Sequence, residues 1–242
     1  MINELGGKMK RLTSILLVAF VVLGLSACGG SSSGEVTATQ VKSGIYSGSW
    51  TASDGSSGVL AAQVSGNKLY AVSNDLKYLQ LELSLNGIVV TTKGRFYSDS
   101  GSATVDGAIT GSGTLKGDTV TMTLTLFDGQ ESQVVLTRSD ISDDASSFDI
   151  MQGDYKSLDQ IVDINLSAVG AVSGSDTDGC KYSGDISIID AKINVYALTL
   201  TIADCPAIAG VYTGFISRYK KDGSIISGIF GNESALAGII LK

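Results

Sequence analysis

The segment Leu79-Gln80-Leu81-Glu82-Leu83-Ser84-Leu85 shows the pattern that decides the fold, because apolar and polar residues alternate at every position. Successive side chains of a β-strand point to opposite faces of the sheet, so this alternation predicts a strand with one buried face. The segment Thr119–Leu126 alternates threonine with valine, methionine and leucine in the same way. Both segments are therefore predicted to be half-buried strands of an antiparallel sheet.

Short turn-forming pairs separate the alternating segments. An aspartate or asparagine followed by glycine tolerates the positive φ angles of tight hairpins, so each pair predicts a turn. The pairs are Asp54-Gly55, Asn86-Gly87, Asp106-Gly107, Asp128-Gly129, Asp178-Gly179 and Asp222-Gly223. The chain also has 30 glycines and a single proline, and its mature part shows no persuasive helical periodicity. The predicted class is all-β and antiparallel.

The first half of the chain is predicted to be a small up-and-down barrel, because short strands follow one another with tight turns between them. The predicted strands are 45–53, 57–65, 68–73, 78–85, 88–98, 102–112, 118–127 and 131–138. A segment rich in serine and aspartate, 139–152, then interrupts the alternation and is predicted to be a solvated linker. Its carboxylates lack the alternating ligands and central glycine of a calcium loop.

The second half repeats short sequences of the first. Gly44-Ile45-Tyr46 corresponds to Gly153-Asp154-Tyr155 and to Gly210-Val211-Tyr212, and a longer alignment matches 106–126 with 178–202. Strands are predicted at 182–190 and 193–203 within the second copy. The repetition indicates a duplicated β module. The fold is therefore predicted to be two small antiparallel, up-and-down, barrel-like modules, similar in outline to calycins, at 44–138 and 153–242.

The N-terminal segment has the features of a secretory signal. Lys8, Lys10 and Arg11 precede an apolar run from Leu12 to Leu25. This run is shorter than the roughly 20 residues that a membrane-spanning helix needs. Translation is predicted to begin at Met9, since the residues that follow already form a complete signal.

Leu25-Ser26-Ala27-Cys28 resembles the lipobox of bacterial lipoproteins, in which the signal is removed and the new N-terminal cysteine carries lipid. The resemblance implies that 1–27 is a signal peptide and that Cys28 is the lipid attachment residue. The small polar residues of 28–43 predict a flexible tether. Gly29, rather than aspartate, implies sorting to the outer membrane in enteric bacteria. A secretory signal without lipidation is the alternative.

Charge and cysteine content agree with an envelope location. The net charge is −7 and becomes more negative once the basic signal is removed, which argues against nucleic acid or anionic headgroups as partners. With Cys28 joined to lipid, Cys180 and Cys205 form an even pair in an oxidising compartment. They are predicted to form a disulfide, and two separate buried thiols are the alternative.

A second resemblance covers 153–242 and, more loosely, 44–138. Gly179-Cys180-Lys181-Tyr182-Ser183-Gly184, Asn194-Val195-Tyr196, Cys205 and Gly210-Val211-Tyr212-Thr213-Gly214 resemble a pattern in the C-terminal halves of Gram-negative lipoproteins of unknown function. This resemblance implies an envelope protein with a β fold. It brings no established activity with it.

The residue types present argue against catalysis. The chain has no histidine, which removes histidine-dependent nucleophiles and most transition-metal sites. The four glutamates of the mature chain, Glu35, Glu82, Glu131 and Glu233, form no pair with catalytic spacing, so a carboxylate-dependent hydrolase is the least favoured alternative. No catalytic residue, metal or cofactor is predicted.

A noncatalytic binding or structural module at the outer membrane is the predicted function. A carrier of a small hydrophobic ligand is the alternative, since a small barrel can hold a ligand or be filled by its own side chains. Trp50, Tyr70 and Phe96 are predicted fillers, which favours a filled core. Tyr219, Lys220 and Lys221 are a candidate contact site for a partner protein, and an ordinary soluble turn is the alternative. The other predicted partners are the membrane, through the lipid on Cys28, and a small apolar ligand.

Overall fold

The computed structural model describes residues 40–99, 104–220 and 224–242, with strands numbered β1 to β16. The first eight strands form a closed barrel in which each strand pairs with the next and β8 returns to β1. They are β1 (Gly44–Ala52), β2 (Ser57–Ser65), β3 (Lys68–Ser73), β4 (Lys77–Asn86), β5 (Val89–Asp99), β6 (Thr104–Lys116), β7 (Thr119–Leu126) and β8 (Glu131–Arg138). The predicted all-β class and up-and-down order are confirmed.

The alternating segments lie in the barrel as predicted. Leu79, Leu81 and Leu83 of β4 are buried, whereas the residues between them are exposed or half-buried. On β7 the buried residues are Val120, Met122 and Leu124. These inward side chains belong to one apolar cluster in the barrel interior.

The remaining strands form a second eight-stranded antiparallel sheet in chain order. They are β9 (Gly153–Lys156), β10 (Val162–Leu166), β11 (Ala171–Asp176), β12 (Lys181–Ile188), β13 (Tyr196–Ala203), β14 (Gly210–Arg218), β15 (Ile226–Gly231) and β16 (Leu236–Leu241). Its edge strands meet at an isolated Ser157–Leu241 pair, next to two backbone hydrogen bonds of 2.9 Å between Lys156 and Lys242. The second sheet is therefore a nearly closed barrel.

The two ends of the first barrel differ. The chain enters at the end where β1 begins, and there Val41 and Tyr46 are 2% and 1% exposed. Lys42 Nζ lies 2.8 Å from Asp118 in the β6–β7 turn, so the segment before β1 crosses this end and closes it. The opposite end carries the turns at 53–56, 74–76 and 127–130, and the described residues leave it open.

The two barrels pack against each other through an apolar cluster on their outer faces, made up of Ile45, Tyr70, Val195, Phe215, Ile229 and Leu236. The rings of Tyr70 and Phe215 meet edge to face, with centroids 5.3 Å apart. Gln63 Nε2 donates to Ser217 Oγ at 2.6 Å and to the Ser227 carbonyl at 2.9 Å. Tyr70 is thus not a filler of the barrel interior, because its strand turns this side chain outward to the second barrel.

The segment between the barrels contains a short 3₁₀ helix (Asp140–Asp143) and α1 (Phe148–Met151). Ser142 and Met151 are fully buried. Ser142 Oγ accepts from the Ile45 amide at 2.9 Å and donates to the Ile45 carbonyl at 3.1 Å. The segment is therefore bound to the barrels at several points, and the expectation of a solvated linker holds only for its exposed residues.

One predicted turn is wrong. Asp106-Gly107 lies inside β6 rather than between strands. A Cβ atom at Gly107 would lie 2.1 Å from Phe127 Cδ1, so this glycine leaves room for the Phe127 ring. The Asp222-Gly223 pair lies outside the described residues.

Candidate functional site

A cavity of about 260 Å³ lies at the open end of the first barrel. Its wall is mainly apolar and is formed by aliphatic and aromatic side chains, including Trp50, Leu60, Leu79, Phe96, Ile109, Leu124, Leu126, Phe127 and Val134. The closed end is filled by its own side chains, as the sequence predicts. The open end is not filled, and the distribution of residue sizes along the strands gives the reason.

Small residues occupy the inward positions where several strands reach the open end. Ala52 is at the end of β1, Ser73 at the end of β3, Ser98 near the end of β5 and Ser132 near the start of β8, and all four line the cavity. Towards the closed end the same strands place larger residues inward, such as Leu69, Val90 and Leu136. The change from large to small side chains leaves the space.

Trp50 forms one wall of this end and is 7% exposed. It lies opposite Gly58 on β2, where a Cβ atom would be 2.5 Å from Trp50 Nε1. Within the described part of the chain, Nε1 has no hydrogen-bond acceptor. Buried indole N–H groups usually have one, so this donor is available to an acceptor atom of a bound molecule.

Lys77 fixes a positive charge beside the indole. Its Nζ atom lies 3.8 Å from the centroid of the Trp50 ring and 2.9 Å from the Asp75 carboxylate. An ammonium over an indole face is attracted by the ring's negative potential. The Lys77 charge is therefore held by two groups of the barrel's own rim.

The other charged residues that the structure describes at the rim are acidic. Asp54 and Asp128 line the cavity from two turns that adjoin, because the Ser53 amide donates to the Glu131 carbonyl at 2.9 Å. Asp54 Oδ1 accepts from the hydroxyl and the amide of Ser56, at 2.6 and 2.8 Å, and these bonds hold the pKa of the carboxyl below its usual value. Asp54 is therefore ionised at neutral pH and could not act as a general acid.

The corresponding end of the second barrel is filled. Tyr212, at the start of β14, is 3% exposed and packs with Phe230 at a ring-centroid distance of 6.0 Å. Strands alternate in direction, so β14 begins at the end opposite the start of β9, where Tyr155 is buried. A tyrosine thus closes each end of the second barrel, whereas Tyr46 closes only one end of the first.

The predicted disulfide between Cys180 and Cys205 is present and also lies at this filled end, with Cα atoms 5.0 Å apart. It joins the start of β12 to the end of β13, where Lys181 pairs with Ala203, so it closes one hairpin. Asp176 is close to both sulfurs. These sulfurs are bonded to each other and offer no thiolate to a metal, and Asp176 accepts hydrogen bonds from the Cys180 amide and the Tyr182 hydroxyl.

The other residues singled out in the sequence are not brought into the cavity. Tyr219 is 60% exposed and Lys220 is exposed at the β14–β15 turn, while Lys221 and Cys28 lie outside the described residues. Glu82 lies on the outer face of the barrel, 3.3 Å from Lys93. The cavity at the open end was not predicted from the sequence. The small residues at inward positions near the strand ends could have indicated it.

Comparisons with protein-family models, curated proteins and solved structures returned no match for this chain. Across the described ranges, no helix has the length and apolar character needed to span a bilayer. The fold and the site define the chain as a protein of two packed β-barrels, one of them hollow at a single end.

Proposed function

We propose that this chain is a lipid-anchored, noncatalytic outer-membrane protein whose first barrel binds a small, mainly apolar ligand at its open end. The proposal rests on a difference between the two barrels. The open end of the first barrel holds a cavity of about 260 Å³, whereas Tyr212 and the disulfide fill the corresponding end of the second. A protein that needed only two rigid barrels would gain stability by filling both.

The volume of the cavity limits the size of the ligand that it can hold. A cavity of roughly 150 Å³ accommodates benzene, so the space here would hold about ten non-hydrogen atoms. A longer molecule would extend through the open end. The wall is apolar with a few polar groups at the rim, which is the usual composition of a small-molecule site.

Residue chemistry supports a noncatalytic role. The chain has no histidine, and in the described ranges the carboxylates that line the cavity belong to Asp54 and Asp128, which lie at its rim. General acid catalysis by a carboxyl group needs a raised pKa, and that of Asp54 is lowered.

The position of the chain's entry supports the proposed anchoring. Val41 and Lys42 lead into β1 at the closed end, so the open end faces away from the point where the proposed tether would join. Recognition of a partner protein is the second candidate function, and the exposed ring of Tyr219 favours it.

Trp50 is the only tryptophan of the chain, so intrinsic fluorescence reports directly on the cavity. We expect titration with 3-phenylpropanol, a neutral probe of suitable size, to change the emission in a saturable manner. Ala52→Phe fills the cavity and should abolish the change, whereas Thr51→Phe adds the same bulk to the exposed face of β1 and should preserve it. An unresponsive wild-type protein, or an equal response from folded Ala52→Phe, would reject the proposal.

A further inference from the structure

We infer that the ligand of the open end is a small organic cation, with its apolar part in the cavity and its ammonium group at the rim. The inference rests on the proposed function and adds the chemical class of the ligand. It follows from the charges that line the cavity and from the way in which the rim already holds one ammonium group.

The charged residues at the rim carry a net negative charge. Among the residues that the structure describes, Asp54, Asp128 and Lys77 are the charged ones that line the cavity, and Lys77 is paired with Asp75 at 2.9 Å. The remaining two carboxylates form no salt bridge within the described residues, and their hydrogen bonds come from neutral groups of their own turns. The charge of Lys77 also acts on Asp54, so this end has one ammonium group for three carboxylates. Their charges add to the field of a protein with a net charge of −7, which attracts cations towards the opening.

Lys77 shows how this rim binds an ammonium group. An aromatic face, that of Trp50, and a carboxylate, that of Asp75, hold the Nζ atom from different sides. The β7–β8 turn offers the same two chemical groups side by side, because Phe127 directly precedes Asp128 and both line the cavity. Phe127 is 52% exposed, so its ring is accessible to a bound molecule. The structure thus provides a second aromatic and carboxylate pair for a ligand's ammonium group.

The alternatives are disfavoured for electrostatic reasons. A carboxylate ligand of the same size would place its charge near Asp54 and Asp128, and like charges at short distance repel. A neutral alcohol would bury the same apolar area but would gain nothing from the two aspartates. The rim therefore distinguishes ligands by charge, while the cavity selects them by size.

Three probes with one carbon skeleton test this inference: 3-phenylpropylamine, 3-phenylpropanol and 3-phenylpropanoate, each titrated against Trp50 emission at pH 7. We expect the amine to bind at least about fivefold more tightly than the alcohol, since one favourable charge contact near water contributes about 1 kcal/mol. The carboxylate should bind more weakly than the alcohol. Added salt should reduce the amine's advantage.

The double variant Asp54→Asn/Asp128→Asn should lose the preference for the amine and keep the affinity for the alcohol. Asp149→Asn/Asp185→Asn removes the same charge from exposed positions outside the first barrel and should keep the preference. Equal binding of amine and alcohol by the wild-type protein, or tighter binding of the carboxylate, would overturn the inference and leave the proposed function standing. If none of the probes binds, the proposed function fails with it.

Discussion

The hydroxyl of Tyr46 donates a hydrogen bond of 2.7 Å to the carbonyl of Lys42, four residues earlier, across the closed end of the first barrel. The same four-residue contact occurs from Tyr155 to Met151 at 3.0 Å and from Tyr212 to Ile208 at 2.8 Å. A glycine lies two residues before each tyrosine, and its φ is 154° at Gly44, 152° at Gly153 and 155° at Gly210. Residues with a side chain rarely adopt this conformation, so the short repeated sequence encodes one local structure that closes three barrel ends.

The first prediction concerns the stability of this tyrosine contact. Tyr46→Phe removes one buried hydrogen bond and should lower the free energy of unfolding by about 1 kcal/mol. Gly44→Ala should cost more, because the φ of 154° is strained for alanine and its Cβ would lie 2.7 Å from Arg138 Nε and Ser142 Cβ. Urea denaturation measures both changes. Tyr219→Phe, at an exposed turn, is the control and should leave the midpoint unchanged.

The second prediction concerns alkaline pH. Burial raises the pKa of Tyr46 to about 12 from an ordinary value of 10.0, because the folded barrel favours the neutral phenol. The stability from this group is therefore complete below pH 10 and is lost as the pH rises towards 12. The slope for one such group is at most about 1.4 kcal/mol per pH unit. Denaturation between pH 9 and 12 should show a steeper decline for wild type than for Tyr46→Phe, and parallel curves would contradict the assignment.

The third prediction concerns the disulfide of the second barrel. Cys180 and Cys205 are separated by 25 residues, and opening a loop of this size should lower the stability by about 3 kcal/mol. The double variant Cys180→Ala/Cys205→Ala and the reduced wild-type protein should show the same lower midpoint in urea. A reductant should not change the midpoint of the double variant. An unchanged midpoint of the wild-type protein after complete reduction would contradict a stabilising role.

The fourth prediction concerns the contact between the barrels. Since Phe215 is buried against Tyr70, the two barrels should unfold together, and Trp50 emission and far-ultraviolet circular dichroism should give coincident transitions. Phe215→Ala should lower the stability by about 3 kcal/mol and separate the two transitions. Val211→Ala, at a side chain that is 57% exposed on the same strand, should leave them coincident. Separate transitions in the wild-type protein would show that the contact does not couple the barrels.

Strand positions could be predicted from the sequence because each barrel strand is buried on one face, which gives a period of two. This period of two is lost where both faces of a strand carry apolar side chains. Tyr70 on β3 and Phe215 on β14 are flanked by apolar neighbours that point the other way, so the sequence does not show which side faces the barrel interior. Their positions depend on contact between two distant parts of the chain.

The repeats were predictable in part. The glycine and tyrosine pattern matches the first strand of each barrel, β1 and β9, and also β14. The longer alignment of 106–126 with 178–202 relates β6 and β7 to β12 and β13, which occupy different positions in their sheets. Gly-rich strands resemble one another, so their similarity does not define the register of a duplication. The cavity was not predicted because it depends on the summed volume of side chains from several strands.

Native mass spectrometry of protein purified from cells, with wild type compared to Ala52→Phe, tests most directly the claim that the open end holds a small ligand. We predict a noncovalent adduct of low mass on wild type that is absent from Ala52→Phe and retained by Thr51→Phe. The same adduct on all three proteins, or no adduct on any of them, would contradict the claim.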